Sequence, residues 1–320
     1  MLRRLRALAR NLPAGLAGDV RGVHQARVAS RRLRDTVPVV AAATRDEKSR
    51  KKQRTLKRLT RALGTVREMD VALAMLGERP LAGASPRPAV ELVRARLNGE
   101  RASRRRLMVE RVAAIDFEKL ARRVREAARA AAMSGRETAW RGALARRLAR
   151  RAILLRGAIE AAGALYEPEA LHKVRIAVKK LRYALELVDE TGAAPARAEV
   201  VVLKTMQDTL GRLHDLQVLR AHVRAIAAGP TRRQAVSVDA LDAVGRAMED
   251  ESRALHARYM AVVPRLRELW HHVARTLVPS VRTSAMGTAR PRPLKMMLQR
   301  ARAERRIVPS PESRVPSPES

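Results

Sequence analysis

Apolar residues recur along this chain at spacings of three and four positions, which is the period of an amphipathic α-helix. Ala, Leu, Arg and Glu, all strong helix formers, dominate the sequence, whereas β-strand formers other than Val are scarce. The pattern therefore predicts an all-α fold. The expected helices cover residues 2–12, 20–43, 46–77, 88–112, 116–133, 137–163, 168–191, 196–228, 238–263 and 265–277.

Clusters of Gly and Pro separate the predicted helices. They lie at residues 77–88, 163–168, 192–195 and 229–230. Pro168 falls where an early helical residue is expected, a position at which the missing N–H of proline costs nothing. Pro38 instead lies within a periodic stretch, so we expect it to kink or shorten that helix.

The composition changes at Pro279. The last 42 residues hold clustered Pro, Ser and Arg, and they end in a hexapeptide, VPSPES, that occurs twice. Such a segment buries too little apolar surface to fold, so residues 279–320 are predicted to form a mostly disordered basic tail. Only a weak helical pattern, at 294–303, interrupts it. The helical part of the chain is therefore expected to cover residues 1–278.

Two sequence motifs occur twice, in the same order. VHQARVASRRLRDTV at 23–37 reappears as LHKVRIAVKKLRYAL at 171–185, at an offset of 148 residues. LGTVREMDV at 63–71 reappears as LGRLHDLQV at 210–218, at an offset of 147 residues. Two pairs at nearly the same distance indicate an internal duplication. The two halves are expected to cover about 1–164 and 165–278.

Both copies of the first motif carry an apolar stripe and, beside it, a basic stripe, each on an arc of roughly 80° of the helix. The apolar stripes are Val23, Ala26, Ser30, Leu33 and Val37, and Leu171, Val174, Val178, Leu181 and Leu185. The basic stripes are His24, Arg27, Arg31 and Arg34, and His172, Arg175, Lys179 and Arg182. Repulsion within each basic stripe costs stability unless an anion offsets it. Because the stripe borders the core, its long side chains can follow the apolar boundary and converge on a shared groove.

The charge of the chain indicates the kind of partner. It has 67 Lys and Arg residues against 32 Asp and Glu, a formal net charge of +35. A folded protein this basic repels itself unless a polyanion neutralises it. The candidates are a nucleic acid, an acidic membrane surface and a linear phosphate polymer. Most of the cations are Arg, whose planar guanidinium group binds phosphate oxygens in pairs.

Further basic residues can join the surface that the stripes form. They are Lys57, Arg58, Arg61, Arg147, Arg150, Arg151, Lys204 and His214. Lys57 and Lys204 occupy equivalent positions of the repeat, and His214 is equivalent to Arg67, so each copy holds a cationic or protonatable group there. These positions extend the candidate site beyond the two stripes.

The sequence lacks the patterns of common catalytic sites. It contains no Cys, which excludes disulfides, thiolate zinc sites and a Cys nucleophile. It also contains no HExxH motif, no P-loop and no carboxylate cluster suited to Mg²⁺. We therefore expect a protein that is not an enzyme and that needs neither a metal nor a cofactor.

Nucleic-acid binding is the main alternative to binding of a phosphate polymer. One Phe, two Trp and three Tyr provide few platforms for stacking bases, and no helix-turn-helix or basic zipper stands out. Non-specific binding of a DNA or RNA backbone remains open, because it depends on the same phosphate contacts. A membrane surface is a weaker alternative, since the basic faces lack flanking Trp or Phe. Without an apolar run of about 18 residues or a signal-like start, we expect no membrane span and a cytoplasmic location.

The two copies of the first motif resemble the signature helices of the CHAD family, the conserved histidine α-helical domains. The segments LGTVREMDV and LGRLHDLQV resemble the next helix of that family, and the resemblance covers most of residues 1–278. It implies two four-helix bundles related by a pseudo-two-fold axis, with basic faces that line a central groove or pore. Members of the family bind inorganic polyphosphate, and some associate with polyphosphate granules.

When the binding residues of the family are matched to this sequence position by position, the resemblance implies a set of polyphosphate contacts in each copy. They are His24, Arg27, Arg31, Arg34 and Lys57, and His172, Arg175, Lys179, Arg182 and Lys204. The sequence thus predicts a non-catalytic protein that binds polyphosphate in a basic groove, with non-specific nucleic-acid binding as the alternative. Protonation of the histidines is expected to strengthen binding as the pH falls towards about 6.5.

Overall fold

The computed structural model describes residues 1–44, 46–78, 87–229 and 238–283, and every regular element in these ranges is a helix. The elements are α1 (Leu2–Ala17), α2 (Val20–Thr44), α3 (Ser49–Glu78), α4 (Arg87–Ala113), α5 (Phe117–Met133), α6 (Glu137–Ala162), α7 (Pro168–Thr191), α8 (Arg197–Ala227), α9 (Val238–His272), a π-helical turn (Val273–Leu277) and α10 (Val278–Thr283). The prediction of an all-α fold is confirmed. None of the helices in these ranges combines the length and the apolar character needed to cross a lipid bilayer.

Several helix ends follow from local sequence signals. Pro168 is the first residue of α7, as predicted, and Gly192 ends that helix in the left-handed conformation with φ of 66°. The side chain of Asp116 caps α5 by accepting a hydrogen bond from the backbone N–H of Lys119 at 2.8 Å. These signals set where the long helices begin and end.

The boundary predicted at Pro264 is wrong, because this proline lies inside α9. Pro38 likewise lies inside α2 and does not shorten it, since α2 ends at Thr44, one residue past the predicted end. Leu266, just after Pro264, is fully buried, and such packing outweighs the local cost of a proline. The helical part also continues past residue 278, because Val281 of α10 is buried. The rest of the predicted tail, including the expected helix at 294–303, lies outside the described residues.

The order of the helices is compatible with two halves derived from a duplication. Helices α1, α2 and α3 each pack against the next helix in the chain, and so do α6, α7 and α8. The first motif lies on α2 and on α7, which are therefore equivalent and have 25 and 24 residues. The second motif lies on α3 and on α8, which have 30 and 31 residues. The expected limit near residue 164 stays a prediction. Helix α6, which precedes that limit, packs with α7, and Leu144, Leu148 and Leu155 are buried in the same core as α7.

The apolar residues form two cores. The smaller core joins α1, α2 and α5 to the first part of α3 and the last part of α4. The larger core joins α6 to α9 to the second part of α3 and the first part of α4. Both predicted apolar stripes are confirmed as buried, since no member has more than 2% of its surface exposed. Burying a Val or Leu side chain fully contributes roughly 1.5–3 kcal/mol, so each stripe holds its helix firmly.

Two glycines bring α1 and α2 into direct backbone contact. A Cβ atom on Gly22 would lie 2.6 Å from the backbone N of Gly15, and one on Gly15 would lie 2.9 Å from the backbone N of Val23. Only Gly permits so close an approach. The N–H of Gly22 also donates to Oδ2 of Asp19 at 2.6 Å. These contacts fix the first turns of α2, where the basic stripe begins at His24.

Candidate polyanion-binding site

A cavity of about 610 Å³, the central cavity, is lined by α2 and α3 of the first copy and by α7 and α8 of the second. Most of its charged groups occupy equivalent positions of the repeat. They include His24, Arg27, Arg31, Arg67 and Glu68 from the first copy, and Arg175, Lys179, Arg182, His214 and Asp215 from the second. The structure therefore places three of the four members of each predicted basic stripe on one concave surface.

The central cavity is lined by eight Lys and Arg residues but only three Asp and Glu. Among the described residues, five of these cations form no ion pair with a carboxylate; we call them the unpaired cations. They are Arg27, Arg31, Arg67, Arg175 and Lys179. The Nε of Arg27 is buried without a hydrogen-bond acceptor, and Arg31 donates only to the hydroxyl of Tyr183, at 3.2 Å. Cations that are partly removed from water and left unneutralised are costly, so the cavity is suited to an anion.

The other cations of the central cavity are held by acidic partners. Arg182 donates to Oε1 of Glu186 at 2.6 Å and to Oε1 of Gln207 at 3.1 Å. Arg32 donates to the same carboxylate oxygen at 3.1 Å. Arg212 likewise pairs with a carboxylate, that of Glu251, at 3.1 Å. These pairs fix the rim of the cavity and leave the unpaired cations as the groups available to a ligand.

Burial, together with the crowding of cations, lowers the pKa values of Arg27, Lys179 and Arg175. Burial, followed by repulsion from Arg31, lowers the pKa of Arg27 to about 10. Burial, followed by repulsion from Arg31, Arg175 and Arg27, lowers the pKa of Lys179 to about 6. Burial also lowers the pKa of Arg175, although the charge of Asp215 opposes this change. The cavity is therefore a region of positive potential, in which an anion would be stabilised.

The three histidines of the basic stripes and of α8 are uncharged near neutral pH. The Nδ1 atoms of His172 and His214 lie 3.1 Å apart. Burial, followed by repulsion from Arg175, lowers the pKa of His214 to about 4 and also lowers that of His172. Burial, followed by repulsion from Arg67, lowers the pKa of His24. Without a bound anion, these histidines therefore gain charge only below their ordinary pKa of 6.5, and the effect of their protonation on binding stays a prediction.

A second cavity of about 640 Å³, the outer cavity, continues the central one. The two share Arg27, Arg31 and Lys179 among their lining residues. Arg34 and Arg61, both predicted as site residues, line the outer cavity instead of the central one. The cationic surface is thus longer than the central cavity alone.

Two predicted site residues have a different role. Arg147 and Arg151 of α6 both bind the carboxylate of Asp35, with Nη2 to Oδ1 distances of 2.7 and 3.0 Å. Arg151 also donates to the backbone carbonyl of Lys180. Their guanidinium groups are neutralised within the protein and do not line either cavity. Their place among the polyphosphate-binding residues therefore stays a prediction, which these contacts do not support.

Five more predicted residues also lie outside the lining of both cavities: Lys57, Arg58, Arg150, His172 and Lys204. His172 is half-buried and reaches the site through its contact with His214. The other four are exposed. Along the two cavities, the structure therefore brings together every member of the two stripes except His172, but not the lysines of α3 and α8.

The sequence prediction did not include three residues that shape the central cavity. Arg67 was noted only as the equivalent of His214, although this equivalence already indicated a site position. Tyr183 accepts a hydrogen bond from Arg31, and its ring lies 4.9 Å from the guanidinium carbon of Arg182. At Gly64, a Cβ atom would lie 3.3 Å from Nε of Arg27, so the glycine of the LG motif leaves room for that side chain.

Comparisons with known proteins identify the family and the fold of this chain. A family model described as the CHAD domain matches residues 1–224. No curated protein matches the chain. A similar solved structure is the crystal structure of the CHAD domain from the plant Ricinus communis, with a TM-score of 0.51 and 22% identity over 85% of this chain and 88% of that chain. The resemblance inferred from the two signature helices is confirmed: the chain belongs to the CHAD domain family.

Proposed function

We propose that this protein binds inorganic polyphosphate in the central cavity without catalysing a reaction on it. The observation that carries the proposal is the convergence of the unpaired cations, which come from both copies of the repeat. The family is associated with polyphosphate, whose closely spaced oxygens match the paired donors of Arg side chains. The same binding would allow the protein to associate with polyphosphate granules in the cytoplasm.

Binding in this cavity combines two favourable contributions. Each hydrogen bond between a charged donor and a phosphate oxygen contributes about 1.5–3 kcal/mol. Neutralisation of the cations also relieves the repulsion that lowers the pKa of Arg27 and Lys179. Because the ligand releases counterions when it binds, its affinity is expected to fall steeply as the salt concentration rises.

A competition assay distinguishes polyphosphate from nucleic acid. Labelled long-chain polyphosphate is bound to the protein at fixed ionic strength and challenged with unlabelled polyphosphate, duplex DNA and RNA at equal phosphate concentration. A bare phosphate chain can enter a cavity of about 610 Å³, whereas a duplex can contact only its outside. We expect polyphosphate to compete at least about tenfold better. Equal competition by all three would show general polyanion binding and contradict the proposal.

Binding is also expected to strengthen as the pH falls from about 8 to about 6. Lys179 faces Arg31, Arg27, Arg175 and Asp215, and its pKa in the empty cavity is about 6, so it is mostly uncharged at pH 7.5. A bound anion raises this pKa, so the complex holds more protons than the free protein, and lower pH favours the complex. Calorimetry in buffers of different ionisation enthalpy would measure the proton taken up.

The variant Lys179→Gln tests the source of this pH dependence. It should lose most of the proton uptake, whereas Lys173→Gln, which removes an exposed lysine of the same helix outside both cavities, should keep it. If both variants took up as many protons as the unmodified protein, the histidines or another group would have to carry the effect.

A further inference from the structure

The first half of α3 presents a line of exposed cations, which we call the α3 strip. Its members are Arg50, Lys51, Arg54, Lys57, Arg58 and Arg61. At about 100° and 1.5 Å per residue, they lie on an arc of about 120° and span about 16 Å. None of them forms an ion pair with a carboxylate in the part of the chain that the structure describes. Six neighbouring cations without partners repel one another, as do those of the central cavity.

The α3 strip is continuous with the cationic cavities. Arg61 and Arg111 line the outer cavity, and the same two residues line a third cavity of about 470 Å³ together with Arg58. The outer cavity in turn shares Arg27 and Arg31 with the central one. A path of cations therefore leads from the central cavity, through the outer and third cavities, onto the surface of α3.

The second copy of the repeat has no comparable strip. At the offset of 147 residues, the equivalent positions on α8 hold Arg197, Ala198, Val201, Lys204, Thr205 and Asp208. Only two of these residues are cations, and Arg197 already pairs with Asp189 at 3.4 Å. The cavity is lined by both copies, but this cationic path leads away from it along the first copy alone.

We propose that a polyphosphate chain too long for the cavities leaves them on the α3 side and continues along the α3 strip. This inference rests on the proposed function. A chain already anchored in the central cavity is at high effective concentration near the strip, so each added contact strengthens binding. The protein therefore binds long chains more tightly than short ones, and it holds the emerging part of the chain on one side only.

The test removes three charges from the α3 strip with the variant Arg54→Gln, Lys57→Gln and Arg58→Gln. The matched control is Arg246→Gln, Arg258→Gln and Arg265→Gln, which removes three exposed charges of α9 that line neither the central nor the outer cavity. Affinities for tripolyphosphate and for long-chain polyphosphate are measured at several salt concentrations. Circular dichroism verifies the fold, which these exposed positions should not disturb.

We expect the α3 variant to bind tripolyphosphate within about twofold of the unmodified protein and long-chain polyphosphate about tenfold more weakly. The slope of log affinity against log salt for the long chain should fall by about 2, since each lost phosphate contact accounts for roughly 0.7. The control variant should change neither result appreciably. Conversely, Val201→Arg with Thr205→Arg adds cations at exposed equivalent positions of α8 and should strengthen long-chain binding.

Other outcomes would overturn the inference. Equal losses for the short and the long ligand, or no loss for the long one, would show that the chain does not follow the α3 strip. A variant that bound long-chain polyphosphate normally but lost binding of duplex DNA would identify the strip as a nucleic-acid surface. If the unmodified protein bound neither polyphosphate, the proposed function itself would fail, and the inference with it.

Discussion

The double variant Arg27→Glu with Arg175→Glu is expected to lose about 100-fold or more of its affinity for polyphosphate. Both residues are members of the basic stripes, occupy equivalent positions, and line the central cavity without an acidic partner. Two lost contacts of about 1.5–3 kcal/mol each correspond to at least two powers of ten in the dissociation constant. The new carboxylates would also repel the ligand and attract Arg31 and Lys179 in its place. Fluorescence anisotropy with labelled polyphosphate measures the loss.

The fold of this variant should survive. Arg27 and Arg175 have pKa values lowered by burial, so their charged forms are unfavourable in the empty cavity and their removal relieves repulsion. The far-ultraviolet circular dichroism should therefore keep its helical form. The control Arg246→Glu with Arg258→Glu makes the same change of charge on the exposed surface of α9. If it weakened binding as much as the cavity variant did, the total charge and not the cavity would determine affinity.

The arrangement of the basic stripes was predictable because two periodic signals agree. The helical period places His24, Arg27 and Arg31 beside buried Val23 and Leu33, so the cations border the core. The repeat then requires the second stripe to have the same relation to its own core. Long cationic side chains beside the apolar face can follow its boundary towards the groove between neighbouring helices, and two equivalent grooves can meet at a common cavity.

The partners of individual cations were not predictable from the same signals. Arg147 and Arg151 fall on α6 close to the second motif, and their charge alone suggested a role in the site. Their actual partner, Asp35, lies more than 100 residues away along the chain. Which arginines are neutralised depends on how α6 packs against α2, and no local pattern encodes that packing. The lowered pKa of Lys179 likewise depends on distances across the cavity.

The largest effect on stability is expected from Asp35→Ala. Asp35 is the acceptor for both Arg147 and Arg151, and only 15% of its side chain is exposed. Its removal leaves the half-buried Arg147 without a partner and the buried Arg151 with only the backbone carbonyl of Lys180. The pKa of Arg147 is already lowered to about 10, first by burial and then by Arg151. Breaking a buried ion pair in this way costs about 3–5 kcal/mol. Urea denaturation should show that loss in the free energy of unfolding.

Two further variants provide losses of stability with which that of Asp35→Ala can be compared. Asp35→Asn keeps one acceptor oxygen and should lose less stability than Asp35→Ala. Glu91→Ala breaks an exposed pair with Arg94, in which the side chains are 65% and 39% exposed, and should cost no more than about 1 kcal/mol. If Asp35→Ala cost no more than Glu91→Ala, the contact between α2 and α6 would not depend on these charges.

The variant Asp35→Ala also tests whether Arg147 and Arg151 stabilise the fold without binding the ligand. Asp35 joins α2, which carries the first basic stripe, to α6, which packs with the helix that carries the second. Well below its unfolding temperature, Asp35→Ala should therefore bind polyphosphate within a few fold of the unmodified protein, because the unpaired cations are untouched. Asp35 itself lines the outer cavity, so a large gain in affinity would show either that its carboxylate repels the ligand or that Arg147 and Arg151, once released from it, reach the ligand. Either result would contradict a purely structural role for these three residues.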